Sequence, residues 1–111
     1  MAGKVDAVMV FVTCASASEA KRIATFLVKK RLAACGNICG APVNSIYRWK
    51  GKVEEAREVL LILKSTRKAF AKLEREVRRL HSYETPEIIA LPIVAGSPAY
   101  LKWLRESISS R

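Results

Sequence analysis

His81-Ser82-Tyr83-Glu84-Thr85-Pro86-Glu87 gathers an imidazole, a phenol and two carboxylates into one short segment. Such groups can move protons, ligate a metal or orient a polar ligand, and each of these uses requires that they be held still. The segment opens into the apolar run Ile88 to Leu91. Pro86 disfavours a helical backbone at Thr85 and pushes it towards an extended one. The polar residues therefore belong at a junction where a helix passes into a strand.

Cys14, Cys35 and Cys39 are odd in number and form no Cys-x-x-Cys pair, so neither a disulfide framework nor a structural zinc site is supported. Three reduced thiols in a reducing compartment is the plain reading. Gly36 and Asn37 lie between Cys35 and Cys39 and break any helix that would set both thiols on one face, which favours packing over a metal pair.

The elements that position these groups follow from hydrophobic spacing. Val5 to Thr13 is almost continuously apolar, as in a central strand covered on both faces. Ser16-Ala17-Ser18-Glu19 has the spacing of a capping box, and Ala20, Ile23, Ala24, Leu27 and Val28 follow at helical intervals, predicting a helix to about Ala34. From Val43 to Lys50, Ser45, Tyr47 and Trp49 alternate with Ile46, Arg48 and Lys50 at a strand's period of two. Lys50-Gly51-Lys52 reads as a hairpin turn, and the chain returns as a strand from Val53 to Lys64. Phe70, Leu73, Val77 and Leu80 mark one face of a second helix. Ile88 to Val94 is the fourth strand, with Pro92 placing its end at a sheet edge. Ser97-Pro98 starts a last helix with Leu101, Leu104 and Ile108 as its buried stripe.

The order β-α-β-β-α-β-α predicts an α+β fold: a ferredoxin-like split βαβ sandwich with an extra C-terminal helix and a long hairpin between the second and third strands. The 111 residues fit one domain, 1–111, with half of them hydrophobic and no linker or repeat. Tyr47 and Trp49 share one side of a hairpin too long for so small a sheet to cover, which predicts a homo-oligomer with both rings at the interface. The competing reading closes the protomer core with the two rings.

Lys4, Ala7 to Val12 and Ala15-Ser16-Ala17 imitate a secretory signal. Asp6 abuts a short apolar core, and cleavage after Ala17 would remove a buried strand. No other apolar run approaches the roughly 20 residues that span a membrane. A cytoplasmic protein with no membrane partner is expected. The net charge of +10 raises affinity for acidic surfaces whatever the fold, yet Val59 to Leu63 is uniformly aliphatic where an RNA-reading sheet exposes aromatics. The basic helical faces thus leave, as the alternative, a module that binds nucleic acid or an acidic partner only nonspecifically.

Several separated blocks, in order, resemble the CutA family of divalent-cation tolerance proteins. Leu32-Ala33-Ala34-Cys35-Gly36-Asn37-Ile38 is similar to the segment closing that family's first helix. Ser45 to Glu54 resembles its hairpin, His81-x-Tyr83-Glu84-x-Pro86-Glu87-Ile88 its strand-four signature, and Pro98-x-Tyr100-Leu101-x-Trp103 its last helix. The resemblance implies a ferredoxin-like protomer in a homotrimer whose hairpins pair with neighbouring subunits. It also implies a role in divalent-metal response, with copper or another divalent cation as cofactor and no catalytic activity.

By the same resemblance His81 aligns with a histidine associated with metal. Some bacterial relatives carry two further donors where this chain has Val12 and Leu80. Cys14 stands on the same side as Val12 if the first strand persists that far. Imidazole and thiolate suit copper, which makes His81 and Cys14 the candidate metal ligands. Tyr83, Glu84 and Glu87 are the candidate lining of a small-ligand cleft between subunits. Two carboxylates are few for a calcium or magnesium cage, and hydrogen bonding at a helix end is their plainer role. An enzyme would use Glu84 or Glu87 as a base assisted by Tyr83 and His81, but no nucleophile elbow or phosphate loop accompanies them.

Overall fold

In a computed structural model that describes residues 6–109, the central strand β1 (Ala7–Cys14) is hydrogen-bonded along both edges, but the cover expected on both its faces is present on one: Val8, Val10, Val12 and Cys14 are buried, whereas Met9, Phe11 and Thr13 on the other face are half-buried. Helix α1 (Ala17–Lys29), strands β2 (Cys35–Ile38), β3 (Val43–Trp49) and β4 (Lys52–Thr66), helix α2 (Arg67–Leu80), strand β5 (Ile88–Pro92) and helix α3 (Pro98–Ser107) complete the order. All pairings are antiparallel, with β2-β4-β1-β5 across the sheet and β3 on the outer half of β4. This is the α+β class and the strand order of a split βαβ unit. Lys4 and Val5, counted above in a signal-like stretch and a strand, lie outside the described residues.

Two layers form because β1 and the inner half of β4 alternate. Val10 and Val12 of β1 and Leu61 and Leu63 of β4 turn to one face, where Ile23 and Leu27 of α1 and Leu73 and Val77 of α2 close over them with no side-chain exposure. At roughly 1.5–3 kcal/mol for each such side chain withdrawn from water, this interface is the main stabilising term of the chain. The opposite face carries Phe11, Ile62, Ile89 and Leu91, the last two about half exposed. Helix α3 packs at one end of the sheet, where Leu104 and Ile108 meet Ala7 and Ala34.

Two boundaries depart from the sequence pattern. Helix α1 stops at Lys29 and not near Ala34, because Arg31 takes a left-handed backbone (φ 59°) that ends the helical ladder. The freed residues then form β2, a short edge strand whose partners on β4 compensate for the poor strand propensities of Gly36 and Asn37. The expected second strand, Val43 to Lys50, is present as β3 in the projecting arm, and β2 is an additional strand in the body that the pattern did not predict. Strand β5 ends at Pro92, two residues before Val94, and lies at the edge as the missing proline donor demands.

The caps Ser16 and Ser97 match their sequence signals, and Thr66 is a further cap, on α2. Ser16 accepts from the Glu19 N–H at 3.2 Å, Thr66 from the Ala69 N–H at 3.2 Å, and Ser97 caps α3 with Pro98 in the first turn. At the arm tip Lys50 and Gly51 both have positive φ, 50° and 81°, between the paired Trp49 and Lys52. Two such residues make the mirror-image turn whose twist suits a hairpin. The arm gives the chain an extent of 50 Å against 25 Å in the other two directions.

Candidate functional site

Strand β1 persists to Cys14, which places the thiol on the same side as Val12 and buries both completely. Three residues later α1 begins, and its first turn carries Glu19, 4 % exposed. Helix α2 ends where its cap residue, His81, leaves helical geometry while its N–H still bonds the Val77 carbonyl. Three element ends thereby converge. One ligand atom each from Cys14, Glu19 and His81 lies within 4.8 Å of the others, in a buried setting.

The hydrogen bonds define the state of each group. His81 Nδ1 accepts the Tyr83 N–H at 3.1 Å, so that nitrogen carries no proton, and Nε2–H donates to the Thr13 carbonyl at 2.8 Å. The ring is the neutral Nε2–H tautomer with both nitrogens occupied. Glu19 Oε1 accepts from the Ala15 N–H at 2.9 Å and Oε2 from the Ser82 N–H at 2.8 Å. The capping box is therefore altered: the carboxylate reaches back to Ala15 and not to Ser16, while its second oxygen ties the start of α1 to the end of α2.

Burial would raise the Glu19 carboxyl, but the hydrogen bonds from Ser82 and Ala15 outweigh it and hold the group below the usual carboxylate range. Cys14 moves the other way. Burial foremost, then the charges of Glu19 and Glu58, push its thiol up to about 12, so it is protonated at neutral pH. Tyr83, half-buried and tilted against the His81 ring at 4.7 Å between centroids, is raised by burial and by the neighbouring Glu58 carboxylate.

His81 and Cys14 thus lie together with Glu19, while Tyr83 packs on the ring from outside. Glu84 and Glu87 are exposed, and no hydrogen bond or ion pair joins either to this cluster among the described residues. Val12 is a core residue, and half-buried Leu80 packs against that core. Cys35 and Cys39 do not form a metal group among the described residues; Cys35 Sγ instead lies 3.7 Å from the Tyr100 hydroxyl. Tyr47 and Trp49 are 43 % and 38 % exposed, which overturns the reading in which they close the protomer's own core.

Sequence reasoning assigned Glu19 to a cap alone and passed over Glu58, which is 7 % exposed on β4. For Glu19 the signal was present, since a carboxylate in the first helical turn has an oxygen to spare after capping. Glu58 sits among charged residues, Glu54-Glu55-Ala56-Arg57-Glu58, and nothing local marks which one the sheet turns inward.

The sequence profile of the CutA1 divalent ion tolerance proteins matches residues 8–107. This chain belongs to that family. It is 50 % identical over 99 residues to the divalent-cation tolerance protein CutA of Thermus thermophilus, covering 89 % of this chain and 95 % of that one. Against the mouse protein CutA it is 46 % identical over 100 residues, 90 % of this chain, but spans only 56 % of the mouse protein's length. Solved structures of the family agree: the Thermus thermophilus Cut A1 structure superposes with a TM-score of 0.90 at 48 % identity over 93 % of this chain and 99 % of its own. The CutA structure from Archaeoglobus fulgidus, described as periplasmic, gives 0.88 at 41 % identity over 93 % and 99 %. The CutA1 family is named for cation tolerance and not for a reaction.

Proposed function

We propose that this CutA1 chain is a divalent-cation tolerance protein that works as a homotrimer and takes a borderline-soft cation, copper or one like it, at Cys14, Glu19 and His81. The observation that carries the metal reading is the convergence of a thiol, a carboxylate and an imidazole within 4.8 Å. Sulfur, nitrogen and oxygen together suit copper or zinc better than calcium or magnesium. The donors fit in kind, and each must give something up: Cys14 its proton, His81 the bond to Thr13 or to Tyr83, Glu19 one of its two N–H partners.

The assembly reading rests on apolar surface that the protomer leaves uncovered. On one face of the arm stand Tyr47 and Trp49, and on the other Ile46 and Val53, which are 68 % and 65 % exposed. An arm apolar on both faces is suited to lie between two neighbours. The open sheet face with Ile89 and Leu91 adds to the same surface. In such a trimer the exposed Glu84 and Glu87, with Tyr83, would line a cleft beside the adjoining subunit and bind a small ligand there. The three unpaired thiols favour a reducing compartment, read here as the cytoplasm.

Sedimentation equilibrium together with copper titration tests both parts, with zinc as a redox-silent comparison. The expected results are a mass of three chains and an affinity that rises about tenfold per pH unit from pH 6.5 to 8.5, because the Cys14 proton must leave. Cys14→Ser should flatten that slope, and His81→Ala should weaken binding. Binding indifferent to pH and to both substitutions would remove the cluster from the metal reading; a single-chain mass would remove the cleft.

A further inference from the structure

The outer surface of the two long helices contains a concavity remote from the thiol and imidazole. It is a groove of about 360 Å³ between the C-terminal end of α1 and the middle of α2. Its floor is apolar, formed by half-buried Phe26 and buried Leu32. Its walls are cationic: Lys30 from the end of α1, with Lys72 and Arg75 one turn apart on α2. Lys30 lies three turns beyond Glu19 along α1, about 16 Å at a helix's rise per residue.

The pairing pattern around the groove sets its charge. Glu76, the one acidic residue among the described residues that line it, is taken by Arg79 at 2.7 Å. Lys30 and Arg79 both approach the Phe26 ring, at 5.7 and 5.1 Å from its centroid. Lys72 and Arg75 have no carboxylate within ion-pairing distance among the described residues, and the first turn of α2 carries no acid. Three cations over an apolar floor, with the local carboxylate neutralised, form a concave positive field, and the low-dielectric floor strengthens its attraction for an anion.

We propose that this groove is a binding site for a short oligophosphate, either free or as the tail of a nucleotide. Size favours a small ligand, since the volume lies at the lower end of ordinary ligand pockets. Charge favours phosphate: a planar guanidinium and two ammonium groups can meet successive phosphoryl groups, with Arg75 donating two parallel N–H bonds. A nucleic-acid polymer is disfavoured because the groove is short and has no exposed aromatic stack for successive bases. The site requires neither the metal cluster nor the trimer.

Titration calorimetry of inorganic tripolyphosphate into the full chain at about 0.1 M salt tests the assignment. The expected result is saturable binding of one ligand per chain, weakened at least tenfold by the double substitution Lys72→Ala/Arg75→Ala and changed less than twofold by Lys102→Ala on α3. All three residues are exposed, and unchanged thermal melts would show that the fold is retained. A second arm uses adenosine triphosphate: tighter binding than tripolyphosphate places a ring on Phe26 and Leu32 and identifies a nucleotide, whereas equal binding identifies the free oligophosphate. The proposal is overturned by no saturation at millimolar ligand, by a double variant that binds as the parent does, or by several ligands per chain lost equally in Lys102→Ala, which is diffuse charge.

Discussion

Glu19 shows how one buried carboxylate can link two helices. It holds N–H groups from Ala15, before α1, and Ser82, after α2, and so fixes the corner where Cys14 and His81 meet. Because its folded pKa is lowered from an ordinary value near 4.5, its contribution is fully present above that pH and is lost as pH falls through the folded value. Glu19→Gln replaces one accepting oxygen by a donor and leaves the N–H of Ala15 or Ser82 without its carboxylate partner; loss of such a charge-assisted, part-buried hydrogen bond costs about 1.5–3 kcal/mol. Urea unfolding at pH 7 should show that loss, and the gap between the parent and the variant should narrow only as pH falls below the usual carboxylate range and the parent's carboxyl takes up its proton. A gap independent of pH would mean that the charge is not what matters. At this scale the sequence revealed the polar segment and the cap but not their meeting, since Glu19 and Ser82 are 63 positions apart and only the fold relates them.

Among the elements, β2 is the one that sequence pattern concealed, and Gly36 explains both its weakness on paper and its presence. A β-carbon at Gly36 would lie 3.0 Å from Ala24 Cβ and 3.1 Å from a Leu63 methyl, so α1 can approach the sheet only over a bare backbone. Local propensity registers that glycine as a break, whereas the tertiary contact makes it a requirement. Gly36→Val should lower stability by about 1–3 kcal/mol through overpacking, seen as a fall in the urea midpoint at unchanged slope. Gly40→Ala is the matched control, with no atom within 4 Å of the added carbon, and should be close to neutral. The longer elements were legible because their periodicity is strong: α2 repeats Phe70, Leu73, Val77 and Leu80, and β1 and β4 carry aliphatic runs that only a covered strand tolerates. The early stop of α1 was not legible, because Arg31 adopts its left-handed backbone while bonding through its side chain to the carbonyls of Glu106 and Ser107 at the far end of the chain.

For the whole molecule the arm is the decisive feature, because its apolar side chains have no cover of their own. Ile46→Glu with Trp49→Glu should leave the protomer's core intact while shifting a sedimenting trimer towards the single-chain mass of 12.3 kDa. A trimer unaffected by both charges would place the contact elsewhere, on the open sheet face. Strand β4 carries a further consequence. It is bordered on both sides from Leu61 to Lys64, but from Lys52 to Glu58 it has only β3 beside it. Deuterium uptake along this one strand should therefore be a ruler of company: slow throughout its inner half, and alternately slow and fast outward, wherever an amide points to the unoccupied border. In a dilution series, the fast positions that become slow as chains gather would show where a neighbour's backbone completes the ladder.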